Sequence, residues 1–342
     1  MAPGVAGRLL AGASKAHRLK RLRQRIAIEH PLDFNRTFDS LTFVAGTGRS
    51  GTTWLVDLLN ADNRHRVIFE PLRSKWGALN GFDLPTYIRP DCEDPHLVGL
   101  VRNILLGNFK SNRWTGRGNE RIVSTRRIVK DVHSNLRLAW LRAQFPRFPI
   151  ILIIRHPCAI AASRQRLGDD TSLDGFLEDA VLVEDHLDPF LDELRRLDSP
   201  FERQIARWCI ETYVPLRQFG TRHEITLVFY EHLVGNPRST LEDLFRMLGR
   251  EAPAAAYEKV GKPSLTTYRP DEPLASAADA VTDWRKQLGS QQVERALELL
   301  ALFGLDRLYG SQPEPRLSDG RLLLELYAVP QNPQDPQDVT PT

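Results

Sequence analysis

The sequence predicts an α/β fold, with a central, mainly parallel sheet flanked by helices, on three observations. Short aliphatic runs alternate along the chain with longer segments of helical spacing. The strongest run, Ile150–Ile154, is continuously apolar, the pattern of a strand buried on both faces. A glycine-containing turn, Gly46 to Gly51, joins one such run to a helical segment, the local order of a strand–loop–helix unit. In chain order, Leu41–Ala45 is a short β-rich run stopped by glycine, and residues 53–59 are helical. Residues 127–129 form a weak strand, and residues 136–145 have helical apolar spacing. Ile150–Ile154 is followed by a helix opening at Pro157, a residue favoured at the first helical position. Residues 173–219 read as helical, with Phe201, Ile205, Trp208, Thr212 and Leu216 on one face as a core stripe. A further strand is expected at residues 225–229, with helices again from about Arg238 and Gln291.

The chain has 342 residues and a formal net charge of +3, with 42% apolar and 26% charged residues, the balance of an ordinary globular protein. Near-neutral charge argues against a general nucleic-acid binder, which needs a dense basic face. Cys92, Cys158 and Cys209 lack CxxC spacing, so neither a disulfide framework nor a zinc site is expected, and a cytoplasmic, reducing compartment is the default. Residues 1–38 read as a basic arm, 39–312 as one domain, and 313–342 as a tail, disordered from about 330, where Pro, Gln and Asp dominate. Residues 1–30 carry seven Lys/Arg and one acid, Glu29. Such a segment is either a solvated helical arm or a peripheral contact with an anionic membrane.

The loop Gly46-Thr47-Gly48-Arg49-Ser50-Gly51-Thr52-Thr53-Trp54 has the setting of a phosphate cradle. Glycines let backbone amides approach an anion, and the following helix adds partial positive charge. The frame is that of a Walker A loop, yet Thr52 stands where the kinase lysine belongs and the cation is displaced to Arg49. A guanidinium there suits bidentate capture of a single phosphate or sulfonate. The strand Ile150–Ile154 ends in Arg155, where a P-loop NTPase would want a magnesium-binding acid. Ser163 lies about two helical turns further on, so Arg155 and Ser163 are suited to a second phosphate at the sheet's ligand-binding edge.

These segments resemble the sulfotransferases that use 3′-phosphoadenosine 5′-phosphosulfate (PAPS). Arg49-Ser50-Gly51-Thr52-Thr53-Trp54 is similar to their 5′-phosphosulfate loop, and Ile154-Arg155-His156-Pro157 with Ser163 to their 3′-phosphate motif. Tyr230-Glu231-His232-Leu233 with Asn236-Pro237 resembles the segment whose tyrosine lies near the adenine. Thr282-Asp283-Trp284-Arg285-Lys286 resembles the loop that closes over the nucleotide, with Thr282 in that loop's glycine position. The resemblance spans roughly residues 40–310 and is nearer to bacterial and carbohydrate-type enzymes than to the cytosolic phenol and steroid enzymes. It implies a P-loop NTPase-like sulfotransferase fold, PAPS as co-substrate without a required metal, and a hydroxyl-bearing acceptor (a glycan, glycolipid or small metabolite). Arg49, Ser50, Gly51, Thr52, Thr53, Trp54, Arg155, Ser163, Tyr230, Trp284 and Arg285 would then bind the nucleotide.

Sulfuryl transfer is an in-line displacement in which positioning and charge stabilisation carry most of the rate. Arg49 and Lys130 are the expected cations for the developing charge. Two bases compete: Glu70, in an Ile68-Phe69-Glu70-Pro71 segment that resembles the acceptor-facing segment of carbohydrate-type enzymes, and His133, three residues after Lys130. Trp54 and Tyr230 suit either adenine contact or core packing. His65, between Arg64 and Arg66, reads as a solvated turn, and His156 as a residue that fixes a strand end. Residues 73–120 and 165–200, with Trp76, Tyr87, Trp114 and several arginines, are the expected acceptor wall. Two other readings compete: a P-loop kinase or NTPase with Asp131 as magnesium ligand, and a non-catalytic nucleotide-binding module.

Overall fold

The computed structural model describes residues 4–79, 81–220, 224–260, 262, 277–317 and 319–327. Its main elements in chain order are α1 (Gly4–Glu29), β1 (Leu32–Asp33), β2 (Leu41–Ala45), α2 (Thr52–Leu59), β3 (His65–Phe69), α3 (Pro95–Leu105), β4 (Val123–Ser124), β5 (Arg126–Asp131), α4 (Leu138–Gln144), β6 (Ile150–Ile154), α5 (Pro157–Leu167), α6 (Pro200–Phe219), β7 (Thr226–Phe229), α7 (Ser290–Leu302) and α8 (Gly320–Tyr327). Five strands form a sheet in the order β3-β5-β2-β6-β7, and every neighbouring pair is parallel. The expected α/β class with a central parallel sheet is what the chain adopts. β1 and β4 make a separate two-stranded parallel ribbon.

Side chains alternate across a strand, so the sheet divides the core in two. Phe43, Ile68, Val129, Leu152 and Ile154 face one layer, packed with Val101, Leu138, Ile160, Trp208, Leu299 and Leu323 from α3 to α8. Val44, Val67, Ile128, Ile151, Ile153 and Val228 face the other, against Leu55, Val56, Leu58 and Leu59 of α2 and Leu241, Leu244 and Phe245 of the helix Pro237–Met247. The five aliphatics of β6 are all buried, each removal from water contributing about 2 kcal/mol. The stripe from Phe201 to Leu216 on α6 is core, as its spacing requires.

Several elements differ from the sequence reading. β3 begins with a buried His65, not a solvated turn: Asn60 Oδ1 accepts the His65 backbone N–H at 2.9 Å, Asn60 Nδ2 donates to the His65 carbonyl at 3.1 Å, and Arg250 covers the ring at 3.1 Å. The helical stretch expected over 173–219 is broken into short turns before α6. Pro189 and Pro200 have no N–H to continue a helix, and Ser199 with Glu202 starts α6 afresh through a capping box. Part of the 313–342 segment is packed: α8 buries Leu323, Leu324 and Tyr327. The tail expected to be disordered from about 330 lies outside the described residues.

Two buried polar groups hold the sheet's surroundings together. Arg127 of β5 is fully buried. Its Nη1 pairs with Asp33 Oδ2 at 2.7 Å and donates to the Asn35 carbonyl, while Nη2 reaches the Thr37 carbonyl and Ser40 Oγ. This ties the β1 ribbon and the entry to β2 onto β5. At the end of β6, His156 accepts the Cys158 N–H at Nδ1 and meets the Gly310 carbonyl at Nε2 (3.0 Å), which assigns the neutral tautomer with the proton on Nε2. Burial pushes its pKa down to about 4.

Arg127→Met leaves the Asp33 carboxylate buried and unpaired, so urea denaturation is expected to show a loss of about 3–5 kcal/mol, partly recovered by also changing Asp33→Leu. A loss below about 1 kcal/mol would contradict that role. His156 is neutral in the folded chain and protonates readily only when unfolded, so its contribution is present above pH 6.5 and is lost as pH falls toward 4. Relative to His156→Gln, the wild type is expected to lose about 2–3 kcal/mol between pH 7 and pH 4.5. Parallel pH profiles for the two proteins would refute this assignment.

Candidate active site

Each strand of the sheet delivers polar or aromatic groups to the same edge. β3 runs into Glu70, β5 carries Lys130 and Asp131, β2 runs into the 46–51 loop, β6 runs into Arg155 and β7 runs into Tyr230. Because the pairing is parallel throughout, these groups emerge along one line in the order of the strands.

The loop's shape depends on its glycines. A Cβ on Gly46 would lie 2.6 Å from the Ile153 carbonyl oxygen, so β2 and β6 approach too closely there for any other residue. Gly51 caps α2 at φ 95°, and a Cβ on it would meet the Tyr230 ring at 2.7 Å. Thr52 and Thr53 are the first, buried residues of α2, so their amides belong to the unsatisfied helix start. Ser50 is buried, and its Oγ has no hydrogen-bond partner among the described residues. Arg49 is held at φ 78°, and Glu70 at φ 41°. Among the described residues, left-handed backbone occurs at only one other non-glycine residue, Asn63. Such strain persists where surrounding structure enforces it.

Arg49 Nε donates to Ser163 Oγ at 3.1 Å, across from α5. Arg155 Nη1 donates to the Arg49 carbonyl at 3.1 Å, and its guanidinium lies 4.1 Å from the centre of the Tyr230 ring. Tyr230 in turn meets Trp54 edge-on, with ring centres 5.6 Å apart. The residues expected to serve two separate anion sites thus form one continuous group. Burial and the Arg155 charge pull the Arg49 guanidinium below its ordinary pKa, a cost that an anion beside it would relieve.

Beneath the loop lies a network that sequence reasoning did not find. Arg164, the residue after Ser163, is buried with Nη1 on Gln204 Oε1 (2.9 Å) and Nη2 3.9 Å from Glu211 Oε2. Arg207 Nε donates to Glu211 Oε1 at 3.0 Å, and Asn135 Nδ2 donates to the Glu211 carbonyl at 3.2 Å. Burial alone would raise the Glu211 carboxyl, but Arg207 and Arg164 outweigh it and hold its pKa below the ordinary value. One weak signal was available: Arg207 and Glu211 are four apart on a helix otherwise read as core.

On the other side of the loop, Lys130 Nζ pairs with Glu70 Oε1 at 2.5 Å, and the Glu70 N–H donates to the Lys130 carbonyl. Both side chains are buried, and the ammonium sits 4.4 Å from the Phe69 ring centre. Burial pulls the Lys130 pKa down, opposed by the Glu70 carboxylate. Asp131 is fully buried and organises the turn that follows β5. Its Oδ1 accepts from the His133 N–H (2.8 Å) and Ser134 Oγ (2.9 Å), and its Oδ2 from the Leu72 N–H (3.0 Å). A carboxylate so engaged is a poor magnesium ligand, which counts against the kinase alternative, and no acid/His/Cys group suited to a metal occurs among the described residues. His133 is half-buried, its Nε2 is without a hydrogen-bond partner among the described residues, and burial lowers its pKa. Beyond Glu70, Arg73 stacks 4.2 Å from the Trp76 ring centre and 5.1 Å from that of Trp114. Of the expected acceptor wall, Trp76 is exposed and Tyr87 is buried.

Trp284 and Arg285 stand apart from this group. Trp284 is buried and stacks on the His156 ring at 4.6 Å, while Arg285 reaches the Ser311 carbonyl and Gln312. His156 also fixes the strand end as expected, its N–H donating to Glu231 Oε1 while Tyr309 OH donates to Glu231 Oε2. Glu231, missed as a supporting residue, is fully shielded, and burial raises its pKa to about 7.

A family model described as the sulfotransferase family matches residues 42–254. Among solved structures, the sulfotransferase domain of the Synechococcus PCC 7002 olefin synthase is 16% identical, covering 80% of this chain and 96% of that one, with a TM-score of 0.44. Sulfotransferase STF9 from Mycobacterium avium is 15% identical over 84% of this chain and 79% of its own, with a TM-score of 0.41. Mouse sulfotransferase SULT7A1, solved with PAP, is 13% identical over 80% and 88%, with a TM-score of 0.40. No curated protein matches the sequence. With the matched model spanning the strand–loop–helix unit, Glu70, Lys130, Arg155 and Tyr230, the chain belongs to the sulfotransferase family.

Proposed function

We propose that this chain moves a sulfuryl group from 3′-phosphoadenosine 5′-phosphosulfate to a hydroxyl of a glycan, glycolipid or small metabolite. The observation that carries this reading is the single line of groups along the sheet edge, cationic at β6 and in the β2 loop, and carrying a paired carboxylate at β3. The donor set suits a nucleotide with two anionic ends. Arg155 and Ser163 would hold the 3′-phosphate, and Arg49 with the Ser50 to Thr53 amides the 5′ end. Buried Ser50 Oγ, unpartnered among the described residues, supports a ligand oxygen there. Trp54 and Tyr230 offer ring surface for adenine, and Trp284 with Arg285 would act from beneath the His156 end.

The nucleotide supplies an activated sulfuryl group whose bridging oxygen leaves as an anion. Arg49 and Lys130 stabilise that charge, in a site where burial makes such contacts stronger than in water. Glu70 takes the acceptor hydroxyl's proton. Its backbone strain and its place beside Arg73 and the exposed Trp76 favour it. A second reading makes His133 the base, favoured by the unpartnered Nε2 of a neutral imidazole.

Glu70→Gln is expected to lower kcat for sulfuryl transfer about 10²–10⁴-fold with little change in the affinity for adenosine 3′,5′-bisphosphate, while His133→Asn costs less than about tenfold. The reverse pattern would move the base to His133. Tight nucleotide binding by the wild type with no turnover on any hydroxyl acceptor would instead favour a non-catalytic binding module.

A further inference from the structure

We propose that α1 and the β1–β4 ribbon form a docking surface for an anionic lipid bilayer, separate from the sulfuryl-transfer site. Residues 17–25 of α1 are exposed on every side, so this part of the helix projects from the body. Within it lie Arg18, Lys20, Arg21, Arg23 and Arg25, and residues 1–28 contain no Asp or Glu. The helix is rooted at its other end: Ala27 is fully buried, Ser111 Oγ donates to the Ile28 carbonyl at 2.7 Å, and Arg113 pairs with Glu29 at 3.4 Å.

At that root the ribbon presents an apolar patch. Leu32 and Phe34 are two apart on an extended segment and point the same way, while Asp33 between them turns inward to Arg127. Val123 is the register partner of Leu32. These side chains are 50%, 74% and 46% exposed, and on α1 Leu19 and Leu22 are 60% and 55% exposed. Exposed Arg36, Arg121 and Arg126 flank the patch in sequence.

Charge and apolar surface together choose the occupant. A soluble polyanion or nucleic acid would satisfy the cations but leave the Leu32, Phe34 and Val123 surface in water. An anionic bilayer satisfies both, through headgroups on the helix and apolar side chains entering the interface. Val123 lies just before the start of β5, whereas Lys130 and Asp131 lie at its far end, so docking leaves the candidate active site uncovered.

The test is co-sedimentation of the full chain with vesicles of phosphatidylcholine alone or mixed with phosphatidylglycerol, without nucleotide or acceptor. Binding is expected only to the mixed vesicles and to weaken as salt rises. The triple change Arg18→Gln, Arg21→Gln, Arg23→Gln and, separately, Leu32→Ser with Phe34→Ser should each cut partitioning about tenfold or more. Both variants should keep wild-type affinity for adenosine 3′,5′-bisphosphate, which shows that they are folded. Equal binding to neutral vesicles, no vesicle binding, or unchanged partitioning of the charge variant would overturn the proposal. So would retention of a soluble heparin fragment at a salt concentration where vesicles are released. None of these readouts involves sulfuryl transfer, so they stand or fall apart from the proposed reaction.

Discussion

Parallel pairing through all five strands of the main sheet is the constraint on which the site depends. In a parallel sheet every strand ends at the same edge, so the residues after β3, β5, β2, β6 and β7 form one row although the chain separates them by up to 184 positions, from Gly46 to Tyr230. Pairing register then decides which groups sit opposite one another. Phe69 is the partner of Lys130, which puts the next residue, Glu70, within reach of the Lys130 ammonium. Ile154 is the partner of Phe229, which sets Arg155 beside Tyr230. A slip of one residue in either pair would turn these side chains to the opposite face.

The same geometry explains the electrostatics. Arg49, Arg155, Arg164 and Arg207 gather around one short loop, and Glu211 is the carboxylate held between two of them beneath it. Concentrated like charge at low dielectric is unfavourable in the free chain and is relieved by an anionic ligand, which turns a folding cost into affinity. At the β3–β5 end of the row the sign is balanced, since Lys130 and Glu70 neutralise each other. The site therefore runs from a cationic end to a neutral ion pair, with strained backbone at Arg49 and Glu70 marking both sides of the loop.

Much of this was legible from the sequence because it is local. The Gly46 to Gly51 loop, β6 and the start of α5 are contiguous patterns, and period and glycine placement suffice to read them. The arm's charge is likewise a matter of composition. What was hidden depends on partners distant in sequence. His65 looked solvated because both its neighbours are arginines, yet Asn60 and Arg250 satisfy it inside the protein. Glu211 looked like one more residue on a core helix, because Arg164 reaches it only once α5 packs on α6. That the Trp284 ring lies on His156 was hidden in the same way, since the two are 128 positions apart. Side-chain identity carries chemistry, but which polar groups meet in the interior is decided by the tertiary packing.

As proposed, the edge cations read a nucleotide with a 3′-phosphate. The most direct measurement is calorimetry of adenosine 3′,5′-bisphosphate without metal, on the wild type and on Arg155→Ala, with ATP and magnesium as the comparison. Binding by the wild type is expected, with a loss of about tenfold to a hundredfold in the variant and weaker binding of ATP, since a charge-assisted contact contributes about 1.5–3 kcal/mol. Binding of magnesium-ATP by a wild type that ignores the bisphosphate would contradict it.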